Sequence, residues 1–254
     1  MDILIRKEGA ILTLAFNRPQ RKNAITAAMY QALAGALAEA DRDDTVKVVL
    51  IHGTDDAFTA GNDLEDFLQD PPQREDSPVF LFLHQISRAR KPLVAAVNGV
   101  AVGIGTTLLL HCDLVFIGDK AKFALPFTAL GLVPEAASSF LLPRIAGHQR
   151  AAEALLLGQP FGAQQAVEMG FVNRVLPPAE VLPAAHKAAE QLAALPGKSL
   201  RATKALLRGA FQATMESRMA EESRLFKEML TEPAAKEAFA AFFEKRKPDF
   251  SGLD

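Results

Sequence analysis

Ala96-Val97-Asn98-Gly99-Val100-Ala101-Val102-Gly103-Ile104-Gly105 is the stretch on which the fold turns. Just before it, Pro92 opens the wholly apolar run 93–97, the pattern of a strand buried on both faces. Asn98-Gly99 then turns the chain, and Gly103-Ile104-Gly105 leads into a helix predicted through Leu110. A second such turn, Phe58-Thr59-Ala60-Gly61-Asn62-Asp63-Leu64, follows the β-branched run 46–51, which Gly53 closes. Small residues at these places let backbone approach a ligand, and unpaired N–H groups there bind an oxygen carrying negative charge. Taken singly, each is better read as an ordinary tight turn.

Outward from these turns, the first half reads as mixed α/β and the second as mostly helix. Strands at 3–5 and 10–16 pair around Glu8-Gly9, and Asn17-Arg18-Pro19 stops the second. Thr26 is placed to cap a helix running to about Ala40. The polar stretch 70–77 reads as a loop, with helix after it to about Arg88 and a strand at 113–117. From Glu135 the pattern predicts helices at about 135–145, 148–157, 163–169, 179–194, 199–213, 216–230 and 234–244, interrupted only by 172–176. Wide apolar faces on the helices after Pro178 need a cover, and a partner subunit or the protein's own core serves equally well.

Composition narrows the function classes. A chain of 254 residues with 49% hydrophobic and 23% charged residues buries a substantial core, and a net charge of -2 gives no electrostatic footprint for nucleic acid. No apolar run approaches the roughly 20 residues of a membrane span. The start, Met1-Asp2-Ile3-Leu4-Ile5-Arg6-Lys7, lacks the order of a secretory signal, so a soluble cytoplasmic protein is expected. One cysteine, Cys112, leaves no intramolecular disulfide. The five histidines show no ligand spacing, so no metal is expected. Ser138 and Ser139 lack a His/Asp constellation.

Read together and in order, the motifs resemble one family. Asn17-Arg18-Pro19 with Lys22-Asn23-Ala24, the 58–64 turn, and Lys91-Pro92 with Ala95-Ala96-Val97-Asn98-Gly99 come first. Cys112-Asp113, Ala121-Lys122-Phe123, Gly170-Phe171-Val172 and the closing Phe243-Glu244-Lys245-Arg246-Lys247-Pro248 follow. This series, across nearly the whole chain, resembles the crotonase superfamily of enoyl-CoA hydratases and isomerases. The resemblance implies an α/β fold, the crotonase (ClpP-like) ββα spiral, over 1–195, with a C-terminal helical trimerisation region at 196–254. It also implies a homotrimer or homohexamer and an acyl-CoA thioester as substrate, with no separate cofactor. The backbone amides of Asn62 and Ile104 map onto the family's oxyanion hole. Two preorganised donors aimed at an enolate oxygen are each worth roughly 10²–10³ in rate. Ala60, Asp63 and Leu64 fall in the same loop as substrate-contact candidates. Arg21, Lys22, Lys245 and Lys247 are candidates for the CoA phosphates, each equally a solvated basic side chain on residue type alone.

The carboxylates separate the reactions. By the resemblance, hydratases carry two glutamates at the positions of Thr107 and Phe127, and neither residue here transfers a proton as a carboxylate does. Instead Val133-Pro134-Glu135-Ala136-Ala137-Ser138-Ser139 is similar to the Ser-Pro-Glu-Gly-Cys-Ser-Ser stretch of peroxisomal-type 3-enoyl-CoA to 2-enoyl-CoA isomerases, whose glutamate is the base. On residue type alone, proline then glutamate is a favourable helix beginning. With the resemblance, Glu135 becomes the expected catalytic base, and Thr107 and Phe127 become substrate-pocket positions. The expected activity is enoyl-CoA isomerisation. The alternatives are a ring- or aromatic-CoA isomerase, a hydratase or thioester hydrolase using Glu135, and a non-catalytic acyl-CoA binder.

Overall fold

The structure, a computed structural model, describes residues 1–253. Strands β1 (Ile3–Glu8) and β2 (Ile11–Phe16) form an antiparallel hairpin, and helix α1 (Ala27–Arg42) follows with the Thr26 hydroxyl accepting from the Met29 N–H. The chain then repeats a simple step: a strand in one sheet, a tight turn, and a short strand in a second sheet. β3 (Val48–His52) is followed by β4 (Ala57–Thr59), β5 (Leu93–Val97) by β6 (Val100–Val102), and β7 (Leu114–Gly118) by β8 (Lys122–Ala124). β9 (Phe161–Gly162) and β10 (Arg174–Leu176) complete the sheets, whose orders are β1-β2-β3-β5-β7-β10 and β4-β6-β8-β9. This is the ββα spiral that the sequence motifs imply.

The six-stranded sheet explains why its central strands read as unbroken apolar runs. Val49, Ile51, Leu93, Ala95, Val97, Val115 and Ile117 face the main core. Their neighbours Val48, Leu50, Val94, Ala96 and Phe116 face Val181, Ala185 and Ala189 of a helix laid over the other side. Parallel strands covered on both faces have no polar side to alternate with.

The helices after α1 are α2 (Leu64–Gln69), α3 (Pro78–Arg88), α4 (Ile104–Thr107) and α5 (Ser138–Ala146). α6 (His148–Ala152) runs into a π turn, and α7 (Ala163–Met169), α8 (Pro178–Ala193), α9 (Gly197–Gly209), α10 (Gln212–Met229) and α11 (Pro233–Glu244) follow. α10 and α11 place Met215, Met219, Phe226, Ala235 and Phe239 in the main core, while Phe242 and Phe243 at the end of α11 stay exposed. α9 differs, burying Lys204 and leaving Leu206 and Leu207 exposed.

Several sequence expectations need correction. The second sheet was not anticipated, because strands of two or three residues are too short to show a period. α2 falls between the 58–64 turn and the 70–77 loop, in residues to which the sequence reading gave no element. The helix expected from Ile104 through Leu110 is one α turn followed by a 3-10 turn, Leu108–His111, so its N-terminal dipole is weaker than a full helix supplies. The helix expected to open at Glu135 begins at Ser138, because Ala136 and Ala137 both have positive φ and interrupt it.

Candidate active site

The two motif turns meet because β4, β6 and β8 are neighbours, with both β4/β6 and β6/β8 parallel. Parallel strands deliver the loops at their carboxyl ends to the same edge, the usual place for ligands in such sheets. Asn62 leaves β4 and Ile104 leaves β6. Gly61 (φ +91°) keeps the loops in contact, since a Cβ there would lie 2.9 Å from the Val102 carbonyl oxygen.

The Asn17–Ala24 motif serves as a rail for the first loop. Asn23 Nδ2 donates to the Ala57 carbonyl at 2.7 Å, and the Ala60 N–H donates to the Lys22 carbonyl at 2.9 Å. Ile25 brackets the oxyanion position: its N–H donates to the Gly61 carbonyl and its own carbonyl accepts from the Asp63 N–H. Arg18 grips Asp63 at 2.5 Å, while Asp63 caps α2 by accepting from the Glu65 and Asp66 amides. Burial pushes the Asp63 carboxyl upward, but the Arg18 guanidinium and the Asp66 amide outweigh it and hold its pKa below the ordinary value. These bonds leave the amides of Asn62 and Ile104 donating no hydrogen bond among the described residues.

Asn62 and Ile104 both line a cavity of about 730 Å³. Glu135, Ala60, Asp63, Leu64, Phe127 and Lys245 line it too, as the sequence reading expected, together with Arg21. Three expected positions are not brought to it. Lys22 is exposed in a left-handed turn and contributes its carbonyl to the rail. Thr107 is wholly buried and absent from the lining, and Lys247 lies in the exposed segment beyond α11.

Glu135 is the unusual group. Its side chain is buried, and Oε1, shielded from solvent, has no hydrogen-bond partner among the described residues. Burial, reinforced by the nearby Glu222 carboxylate, pushes its pKa up from 4.5 to about 8. Asp63 is tied to Arg18, and Glu65 is exposed and paired with Arg21 at 2.8 Å, so neither competes as a base. Among the described residues no group of three or more His, Cys, Asp and Glu is placed to hold a metal.

Sequence reasoning missed several participants. Tyr30, the chain's single tyrosine, is buried on α1, and its hydroxyl donates to Asn62 Oδ1. A buried tyrosine on an apolar helix face needs a hydroxyl partner, and that was the available signal. From the C-terminal helices come Phe226, Phe239, Phe242 and Phe243, which wall the cavity.

Two unengaged amides and an unpaired, water-shielded acid on residues of one cavity are groups of the kind that can hold negative charge on a carbonyl oxygen and move a proton. The comparisons with known proteins give the family. The family model described as enoyl-CoA hydratase/isomerase matches residues 6–253. The chain is 34% identical to 1,2-epoxyphenylacetyl-CoA isomerase of Escherichia coli, covering 98% of both chains. It is 40% identical to enoyl-CoA delta isomerase 2 of Rattus norvegicus over 81% of this chain and 54% of that protein. An enoyl-CoA hydratase/isomerase structure from Pseudoalteromonas atlantica superposes with a TM-score of 0.94 at 41% identity, covering 99% of this chain and 100% of that one. The chain belongs to the enoyl-CoA hydratase/isomerase family, within the crotonase superfamily. It is an enzyme of that family, acting on acyl-CoA. No helix among the described residues is long and apolar enough to cross a membrane.

Proposed function

We propose that the enzyme is an enoyl-CoA isomerase that moves a double bond from the 3 to the 2 position of an acyl-CoA thioester. The observation that carries this reading is the lone unpaired carboxylate, Glu135, sharing a cavity with the two unengaged amides. Hydration in the family takes two carboxylates to hold and activate water, whereas a 1,3-proton shift takes one. In the proposed reaction the thioester oxygen accepts from the Asn62 and Ile104 amides. Ionised Glu135 removes a proton from C2, and negative charge spreads over the dienolate and its oxygen. The resulting acid delivers a proton to C4. The change is redox-neutral, so no cofactor takes part. Phe127, Leu132, Phe226 and Phe239 keep water from the dienolate, and burial brings the base's pKa toward that of the carbon acid.

Arg21 and Lys245 at the cavity are assigned to the CoA phosphates. Exposed Leu206 and Leu207 are assigned to a contact between copies in a homotrimer or homohexamer. A second reading rests on the cavity's aromatic lining, Phe67, Phe127, Phe226, Phe239, Phe242 and Phe243. Such walls suit a ring-bearing acyl group, and one relative is named for a phenylacetyl-derived substrate.

A screen of 2-enoyl, 3-enoyl and ring-bearing CoA thioesters tests both readings. Turnover of the 3-enoyl substrate at unchanged mass in ordinary water, with deuterium entering C2 or C4 when the solvent is deuterium oxide, is the expected result. Gain of water by the product would overturn isomerisation, and turnover of ring substrates alone would favour the second reading. A further expected outcome concerns Tyr30→Phe. Losing its hydroxyl loosens the Asn62 loop, so kcat falls about fivefold, the worth of one hydrogen bond, with KM little changed. Steady-state rates on a folded variant check this, and an unchanged kcat would remove Tyr30 from the support of the site.

A further inference from the structure

Glu222 lies on α10, one turn before the cavity-lining Phe226 and absent from the lining itself, yet it is buried and engaged. One carboxylate oxygen accepts from the Ala137 amide at 2.6 Å. The other accepts from the Ser139 amide at 3.0 Å and the Ser139 hydroxyl at 2.5 Å. These donors belong to the loop that carries Glu135 and to the start of α5. Opposite them, His111 Nε2–H donates to the Ala136 carbonyl at 2.7 Å.

The loop needs such clamps. Ala136 and Ala137 stand at φ +58° and +55°, neither being glycine. A left-handed conformation is costly for a residue with a Cβ, so two in succession persist only where the surroundings hold them. The Ala137 and Ser139 amides are also among those a helix start leaves without partners, and a carboxylate is the group that suits them best. The two αL residues turn the chain so that Glu135 faces the cavity instead of continuing α5.

We propose that Glu222 is a positioning residue for the reaction, its buried carboxylate locking the 136–139 backbone so that Glu135 is aimed into the cavity. This rests on the reading of Glu135 as the base. A static cap would do no more than hold α5, but this one also faces Glu135 electrostatically. With three donors Glu222 is the member of the pair that ionises first as pH rises, and Glu135, with none, holds its proton longer. The other ionisable groups around them are Tyr30, His111 and Arg218. Burial, then the Glu135 charge, raises the Tyr30 hydroxyl well above 10, and burial lowers His111 to about 4, so both stay neutral near pH 7. Burial raises Glu222 to about 7, against the Ser139 and Ala137 donors and Arg218, which favour its charged form.

The test is Glu222→Gln, assayed across pH on the 3-enoyl thioester. Glutamine offers one acceptor oxygen where the carboxylate offers two, and it carries no charge. On the high-pH plateau kcat is expected to fall at least about tenfold with KM little changed, the pattern of a misaimed base. The rising limb of the pH profile should move to lower pH, because the repelling charge beside Glu135 is gone. A folded variant with the parent's plateau and the parent's limb would overturn the proposal. Should that variant not fold, Ser139→Ala decides: it removes one of the three donors, and a severalfold loss in kcat is expected, where the parent's kcat would overturn it. If Glu135→Gln keeps its rate, the reading of the base itself has failed. If that variant is inactive while Glu222→Gln behaves as the parent, only the positioning role has failed.

Discussion

Glu135→Gln should lose roughly 10²–10⁴ in kcat on a 3-enoyl-CoA while binding it about as well as the parent, because the change removes the group that carries the proton and little else. Glutamine keeps the size and the planar polar end, so the cavity's walls have no reason to move. Rates at saturating substrate, with KM measured beside them, check this, and full activity would exclude Glu135 from the chemistry. The parent's own profile carries the same signature. A base with a pKa near 8 is mostly protonated at neutral pH, so kcat/KM should climb through about pH 8.

The same substitution should make the protein more stable, in a pH window fixed by the carboxyl. The folded pKa of about 8 lies above the ordinary value of 4.5, so between those limits the folded chain holds a proton that the unfolded chain gives up. Its contribution is therefore fully present below about 4.5 and is lost as pH rises through about 8. Glutamine does not ionise and escapes that loss. Melts should show Glu135→Gln matching the parent near pH 4 and exceeding it by a few degrees near pH 9, about the shift expected for 1–2 kcal/mol in a chain of this size. Equal melting at both pH values would mean that the carboxyl is better solvated than its burial indicates.

How far the sequence led depends on which physical signal each element carried. β3, β5 and β7 were legible because burial on both faces writes an unbroken apolar run. β4, β6 and β8 were not, since three residues carry no period, although their glycine turns marked where they end. The amide donors at Asn62 and Ile104 were found through those turns and the family resemblance, whose motif order maps them without any geometry. Glu222 was missed although its signal was present. Met215, Met219, Glu222 and Phe226 follow one stripe of α10 at steps of four, three and four, so a carboxylate stands where a core side chain belongs. What that carboxylate meets is set by long-range packing, 83 and 85 residues away, which no local pattern records. Proline before Glu135 pointed to an ordinary helix start, and the positive φ values of Ala136 and Ala137 were not legible because alanine does not advertise them.

Ile104→Pro should remove one of the two oxyanion donors while leaving the fold in place, and it should cost roughly 10²–10³ in kcat. The substitution is tolerable for a local reason. Ile104 is the first residue of α4, where proline fits and where the helix itself asks nothing of the N–H. Gly103 before it, at φ +55° and ψ -119°, has the conformational freedom that the proline ring demands of its neighbour. Ile104 is also buried, so part of any loss would come from packing. Ile104→Val separates the two contributions. It deletes one methylene and costs about 0.5–1.5 kcal/mol of stability, but it keeps the amide and should keep kcat within a few-fold. Thermal melts and kcat on the same pair of variants therefore move in different proportions if the main-chain donor is what matters. If the proline variant, folded and binding CoA, turned over at the rate of the valine variant, charge on the thioester oxygen would have to be met elsewhere. The parallel pairing of β4 with β6 would then explain the shape of the cavity and not its chemistry.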